Sequence, residues 1–279
     1  MIQVEALVKQ AHAVQPLPAS VSRLAALIAS DSWSIEEIEE VISLDQGLTA
    51  NLLRLANSAA FASMSEITGV REAVVRMGAG AVLSLAMAAS VHSRLDRPIP
   101  QYGLSEGDLW RHSVASALAA QQIGRACTKR LPPECFTAAL LHDIGKLIMC
   151  RHLSPEILEI LGHARREGHL SAVRAEIAVL EVHHGELGGL IAQHWGLPEG
   201  IVRGIQYHHE PQAGNSVTCH VTHLSNTIAH RVLDDDAPRH SDEESIEPDI
   251  DALDLSEHRI DEICETVALR IDEVMLEYT

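Results

Sequence analysis

The residues best suited to chemistry in this 279-residue chain are its 17 histidines, several of which stand beside other ligand-type side chains. An apolar run, Ala138-Ala139-Leu140-Leu141, ends in the adjacent pair His142-Asp143 and continues into Ile144-Gly145-Lys146. Successive residues of a helix diverge by about 100°, so this pair can face one point only where a helix ends and the backbone bends away. Gly145 is the residue expected to stop that helix. An imidazole beside a carboxylate at the foot of an apolar run suits a divalent ion of the Fe, Mn, Zn or Mg kind. His112, His184, the pair His208-His209 and Asn226 are further ligand-type residues, each at an inward or terminal position of its own predicted helix. Brought together, they would supply enough N and O donors for one or two ions with Asp143 as the bridge. Taken singly, each has a plainer reading; His112, three residues after Leu109, suits the role of a hydrogen-bonded core histidine.

The elements that must position these side chains are helices. Hydrophobic residues make up 46% of the chain but aromatics only 3%, so the core is Leu, Ile, Val and Ala, a helix-forming mixture. Periodicity predicts helices over 2–13, 19–29, 35–44, Asp45 to Ala56, Val70 to Met77 and 81–93. Ser34 and Glu37 have the spacing of a capping box. After the Pro98- and Pro100-containing linker come helices over 105–125, from Pro132-Pro133 to Asp143, 155–167, 171–182, His184 to Trp195, from Glu199, and 217–233. On the His184 helix, His184 shares a face with Leu187, Gly188 and Ile191, whereas His183 should point elsewhere. Gly188-Gly189 in mid-helix costs about 1 kcal/mol per glycine relative to alanine, which close approach of another backbone would explain.

These signals divide the chain into an N-terminal helical lobe (1–95), a second helical lobe (96–233) and a C-terminal segment (234–279). The C-terminal segment is expected to be a mobile acidic loop through Asp251. A helix then starts at the Asp254-to-Glu257 spacing, and its apolar face (Ile260, Ile263, Val267, Ile271, Val274) should dock on the chain's own body. His12, His92, His152, His163, His169, His183, His194, His230, His240 and His258 are read as surface or packing residues.

The formal charge of −18 is concentrated at one end: residues 234–279 hold 17 acids and 3 bases, the preceding 233 residues 22 acids and 18 bases. An acidic tail on a nearly balanced body argues against nucleic acid or an anionic membrane as partner, because no basic surface exists to release counterions. The apolar stretch Gly78 to Val91 is too short to span a bilayer. Five cysteines (127, 135, 150, 219, 264) without Cys-x-x-Cys spacing or a signal-like leader read as thiols of a cytoplasmic protein, neither a disulfide framework nor a cysteine metal site.

In order along the chain, His112, His142-Asp143 with Ile144-Gly145-Lys146, His184 to Gly188, Trp195-Gly-Leu-Pro198 and Tyr207-His208-His209-Glu210-Pro211 resemble the signature of the HD superfamily of metal-dependent phosphohydrolases. Leu17 to Val21, Ile42 to Leu48, Leu52 to Ser58 and Ala73 to Gly78 are similar to the N-terminal half of HDOD output domains, so that the resemblance covers about residues 10–233. It implies an all-α, two-lobed multi-helix bundle with an HD-like second lobe and a role in bacterial signal transduction. It also implies His112, His142, Asp143, His184, His208, His209 and Asn226 as metal ligands, with Asp143 and Lys146 as catalytic residues, Lys146 meeting phosphate. HDOD proteins commonly lack such ligands and have no firmly assigned reaction, whereas this chain keeps most of them.

Asn226 stands where the hydrolases carry an aspartate; its amide oxygen can coordinate but cannot act as a base. Nor does Glu210-Pro211 continue into the Gly-Tyr-Pro signature of cyclic-di-GMP phosphodiesterases. The first expectation is therefore a signalling module acting through ligand or protein binding, its partners signalling proteins or a phosphorylated small molecule. The alternative is a phosphohydrolase acting on a nucleotide or cyclic dinucleotide, with hydroxide generated between two ions.

Overall fold

The computed structural model describes residues 4–30, 32–57, 66–166, 170–233 and 245–276, without the side chains of residues 101, 150–152, 165 and 166. Among these residues every regular element is a helix, and the one extended pairing is a single antiparallel bridge between Ile99 and Leu104. The first half contains α1 (Val4–Ala11), α2 (Ala19–Ala29), α3 (Ile35–Ser43), α4 (Gln46–Ala56), α5 (Val70–Met77) and α6 (Ala79–Leu95). The capping box forms as expected: Ser34 N–H donates to the Glu37 carboxylate (2.8 Å) and Glu37 N–H to Ser34 Oγ (3.2 Å). Asp45 caps α4 by accepting from Leu48 N–H at 3.0 Å. Gly78, at φ +85°, lets α5 and α6 meet at 119°.

The second half contains α7 (Asp108–Ala126), α8 (Cys135–Leu141), α9 (Lys146–His152), α10 (Pro155–Arg166), α11 (Ala172–Leu180), α12 (His184–His194), α13 (Glu199–Gln206), the short α14 (Pro211–Gly214) and α15 (Val217–Leu233). Helices α7 and α15 lie side by side and pack on α8, with α13 closing the group against α8 and α15. One continuous apolar core runs through both halves. Helix α1 leaves the first half and packs on α9 and α12. The junction is tied by polar groups: Trp195 Nε1–H and Arg94 Nη1–H both donate to the carbonyl of Gln15, at 3.1 and 2.7 Å. No single helix among the described residues is long and apolar enough to cross a membrane, and α6 is largely buried in the core.

Three expectations require correction. Gly145 does not end α8 by adopting a left-handed conformation, since its φ is −65°. It is glycine because a Cβ there would collide with the carbonyl oxygen of His184 and lie 2.7 Å from Gly188 N. Part of the expected mobile loop is ordered: α16 (Glu247–Leu253) buries Asp249, whose carboxylate accepts from Nδ1 of His220 and of His223, at 2.7 and 2.5 Å. Residues 234–244 of that loop lie outside the described residues.

Finally, Asp254 is not the cap of the last helix. It ends α16 at φ +54°, and Ser256 Oγ accepts from Arg259 N–H at 3.3 Å to start α17 (Glu257–Leu276). As expected, α17 docks on the body, against α7 and α15, and buries Ile260, Ile263, Val267, Ile271 and Val274. The cysteines with described side chains, Cys127, Cys135, Cys219 and Cys264, are free thiols.

Candidate metal centre

The centre is assembled where two backbones touch. After Leu141 the chain turns through His142, Asp143, Ile144 and Gly145, held by Ile144 N–H to Leu141 O (2.9 Å) and Lys146 N–H to Asp143 O (3.0 Å). This turn sits on the first turn of α12, where a Cβ on Gly188 would lie 3.4 Å from Gly145 N and 2.8 Å from Ile205 Cγ2. The close approach anticipated from Gly188-Gly189 is to side chains of α13, Ile205 at Gly188 and Gln206 at Gly189; the tight backbone contact is at Gly145, and it carries His184 onto Asp143.

Three of the rings are fixed from behind. Nδ1–H of His142 donates to the carbonyl of Ala139, and Nδ1–H of His208 to that of Ile205, each at 2.7 Å. Nδ1–H of His184 donates to the carboxylate of Glu176 at 2.8 Å. A carbonyl can only accept, so the proton of His142 and of His208 resides on Nδ1 and Nε2 presents a lone pair. Backing by a carbonyl or carboxylate in this way is what orients metal-ligating histidines.

Those Nε2 atoms converge. His112 Nε2 lies 3.2 Å from His142 Nε2 and 3.0 Å from Asn226 Oδ1, and His209 Nε2 lies 3.0 Å from His184 Nε2. Asp143 joins the two sets, with Oδ1 3.1 Å from His184 Nε2 and Oδ2 3.4 Å from His142 Nε2. The ligand atoms of His184, His208 and His209 all lie within 4.8 Å of one another, as do those of His112, His142 and Asp143. His208 Nε2 is buried without a hydrogen-bond partner among the described residues. So many ligand-type N and O atoms crowded at such distances, together with an orphaned buried acceptor, are an arrangement a cation stabilises. The donor set therefore fits divalent metal.

The electrostatics agree. Burial, reinforced by the neighbouring imidazoles, holds His112, His208 and His209 well below the usual histidine range, so they stand as neutral ligands. Burial opposes ionisation of Asp143, yet Lys146 and His142 outweigh it and keep the carboxyl well below its ordinary value. Burial likewise opposes a charge on His184, but the Glu176 carboxylate and Asp143 push it up to about 9. A bound cation would take the position of that Nε2 proton.

All the residues singled out in the sequence, His112, His142, Asp143, Lys146, His184, His208, His209 and Asn226, thus meet in one pocket. Lys146 Nζ donates to Asp143 Oδ2 at 2.6 Å and lies 5.4 Å from the centroid of the Tyr102 ring. His183 stays out of the ligand set and caps α12, its Nδ1 accepting from Gly185 N–H at 3.1 Å. His230, read from sequence as surface or packing, is exposed and its ring centroid lies 4.5 Å from that of His112, on the rim of the pocket.

Two residues behind the centre escaped the sequence reading. Glu176 is 1% exposed and accepts from His184 N–H at 2.8 Å as well as from Nδ1, and Tyr102 Oη–H donates to it at 2.5 Å. The only sequence signal was an acid inside the apolar run Ala175 to Leu180, eight residues before His184. Its neighbour Ile177 is 46% exposed, so charge and apolar residue have exchanged their usual places.

The model of the HDOD domain matches residues 14–211. A relative from Treponema pallidum (strain Nichols), described as an uncharacterized protein, is 25% identical over 230 residues, 81% of this chain; the alignment covers 44% of that protein, so the chain spans less than half its length. The fold is shared with an HDOD domain protein of unknown function from Geobacter sulfurreducens (TM-score 0.74, 22% identity, 98% of this chain and 99% of that one). It is shared too with a protein of Shewanella amazonensis SB2B provisionally named a phosphohydrolase (TM-score 0.72, 23% identity, 98% of each chain). A regulatory or HD-like role fits both the match and the pocket, and the chain belongs to the HDOD domain family.

Proposed function

We propose that the protein is a regulatory module of HDOD type whose HD-like half binds divalent metal and, beside it, a phosphate-bearing small molecule of the nucleotide or cyclic-dinucleotide class. The observation that carries this reading is the convergence of imidazole Nε2 atoms on Asp143, with three rings locked from behind by Ala139 O, Ile205 O and Glu176. Backing bonds of this kind orient histidine rings for ligation, and here they turn Nε2 toward the common point. When bound, divalent metal supplies Lewis acidity toward phosphoryl oxygens and lowers the pKa of water. Lys146, whose side chain is 13% exposed, is placed to donate to a phosphoryl oxygen at the same point. This local charge replaces the basic surface that the body lacks. In this reading residues 96–233 sense the ligand, and residues 1–95 present a surface to a signalling partner.

Phosphoester hydrolysis is the second reading, favoured by the firmly ionised Asp143, whose two oxygens face the two groups of imidazoles as ligand atoms. Asn226 cannot take a proton, so in that reaction it only positions, through its 3.0 Å contact with His112. The test is elemental analysis of the purified protein, followed by calorimetric titration with nucleotides and turnover of bis(p-nitrophenyl) phosphate. Bound Fe, Mn or Zn with nucleotide binding, both lost in Asp143→Ala, supports the proposal. Turnover that disappears in the same variant promotes the second reading, and a protein that takes up no metal overturns both.

A further inference from the structure

The two groups of donors are not equivalent, and the difference lies in which oxygen of Asp143 each one meets. Oδ1 faces the His184 group, 3.1 Å from His184 Nε2. Oδ2 faces His142 and His112, at 3.4 and 3.8 Å, but it is also held by the Lys146 ammonium at 2.6 Å. The His184 group thus has a carboxylate oxygen that Lys146 does not hold, with the second carboxylate, Glu176, standing behind at 2.8 Å from His184 Nδ1. Its other donors, His208 and His209, are imidazoles, and Nε2 of His208 is the orphaned acceptor. The His112 group has two imidazoles, the neutral amide of Asn226, and an oxygen whose charge a cation already offsets.

We propose that the centre loads unequally: one ion is held tightly by His184, His208, His209 and Asp143 Oδ1, while the Lys146 ammonium takes the charge place of a second ion on Asp143 Oδ2. This inference rests on the metal-binding reading above. Three imidazoles with a single carboxylate oxygen select a borderline transition metal such as Zn, Fe or Co over Mg or Ca. A dication entering the His112 group must displace Lys146 or lie against its charge, and Asn226 contributes no charge to offset that repulsion. The second position is therefore weak and exchangeable.

Equilibrium dialysis of the metal-free protein against cobalt(II) tests this, read by bound metal and by the visible ligand-field absorption. The first equivalent is expected to bind roughly 10- to 100-fold more tightly than the second. His208→Ala, or independently His209→Ala, should abolish the tight position, whereas His112→Ala should keep it. Asn226→Asp and, separately, Lys146→Met should each raise affinity for the second ion by roughly tenfold or more, with circular dichroism checking that every variant is folded. Two equally tight ions in the unaltered protein overturn the inference and leave metal binding standing. So does loss of the tight ion in His112→Ala with retention in His208→Ala, or a second position indifferent to both Asn226→Asp and Lys146→Met. No bound cobalt at either position overturns the inference together with the reading beneath it.

Discussion

The two halves of the molecule are both helical and share one apolar core, yet they bury different things. Among the described residues before the linker, the polar side chain counted as buried is that of Ser84, which donates to the Gly80 carbonyl at 2.7 Å. Between α7 and α15 the buried set includes His112, His142, Asp143, Glu176, His184, His208, His223 and Asn226. Burying an ionisable group is costly unless each is partnered, so a domain selected for stability alone avoids it. Substitutions at buried positions of the first half should therefore act on folding. The second half bears the cost of burying a converging set of ligand-type side chains.

The sharpest way to break this contrast is Asp143→Ala. It removes the carboxylate whose two oxygens meet the two donor groups and leaves the part-buried Lys146 uncompensated, so metal uptake measured by elemental analysis should fall by well over 100-fold, beyond the loss expected from an outer-shell change. Leu52→Ala in the first half should do the opposite. It should cost about 2–5 kcal/mol in denaturant unfolding while leaving metal stoichiometry unchanged, because Leu52 is fully buried in α4 away from the donors. If metal uptake fell with it, the halves would not be separable in this way.

Glu176→Gln sharpens the comparison within the second half. It keeps the shape but removes the charge behind His184, so metal affinity should drop by roughly 10- to 100-fold, since a dication gains more from that charge than a proton does. The pH dependence follows from His184. Its folded pKa, about 9, lies above the unfolded value of 6.5, so in metal-free protein its stabilising effect is full below 6.5 and is lost as pH rises through about 9. Metal uptake must expel the same proton and should tighten as pH rises toward 9, with proton release measurable in calorimetry at different buffer ionisation enthalpies. In Glu176→Gln that dependence should move to lower pH. The smallest effect expected is that of Ser34→Ala, about 1 kcal/mol in thermal or denaturant unfolding from loss of the α3 cap, with no change at the metal centre.

Much of the helical framework was legible beforehand because its causes are local. The spans of α2 and α15 follow from apolar periodicity, and the starts of α3 and α4 from Ser34 and Asp45. The acidic stretch before α17 reads as a mobile loop, and part of it is helical, for a related reason. Composition reports the solubility of a segment, whereas Asp249 is held by His220 and His223, 29 and 26 residues away. Glycine often stops a helix, which is how Gly145 reads in the sequence, but the seat of His184 against it shows a different cause.

By itself, the sequence determined an all-helical chain, the kinds of ligand atoms available, and the absence of a carboxylate at Asn226, since residue type and short-range spacing carry these. Tertiary structure alone decided that His112 meets Asn226 across 114 residues, that Asp143 turns one oxygen to His184 and the other to Lys146, and that Glu176 stands behind the centre. Side-chain convergence depends on how helices cross, which is set by the packing of many distant apolar residues and by the glycine contact that brings α12 onto the His142-Asp143 turn.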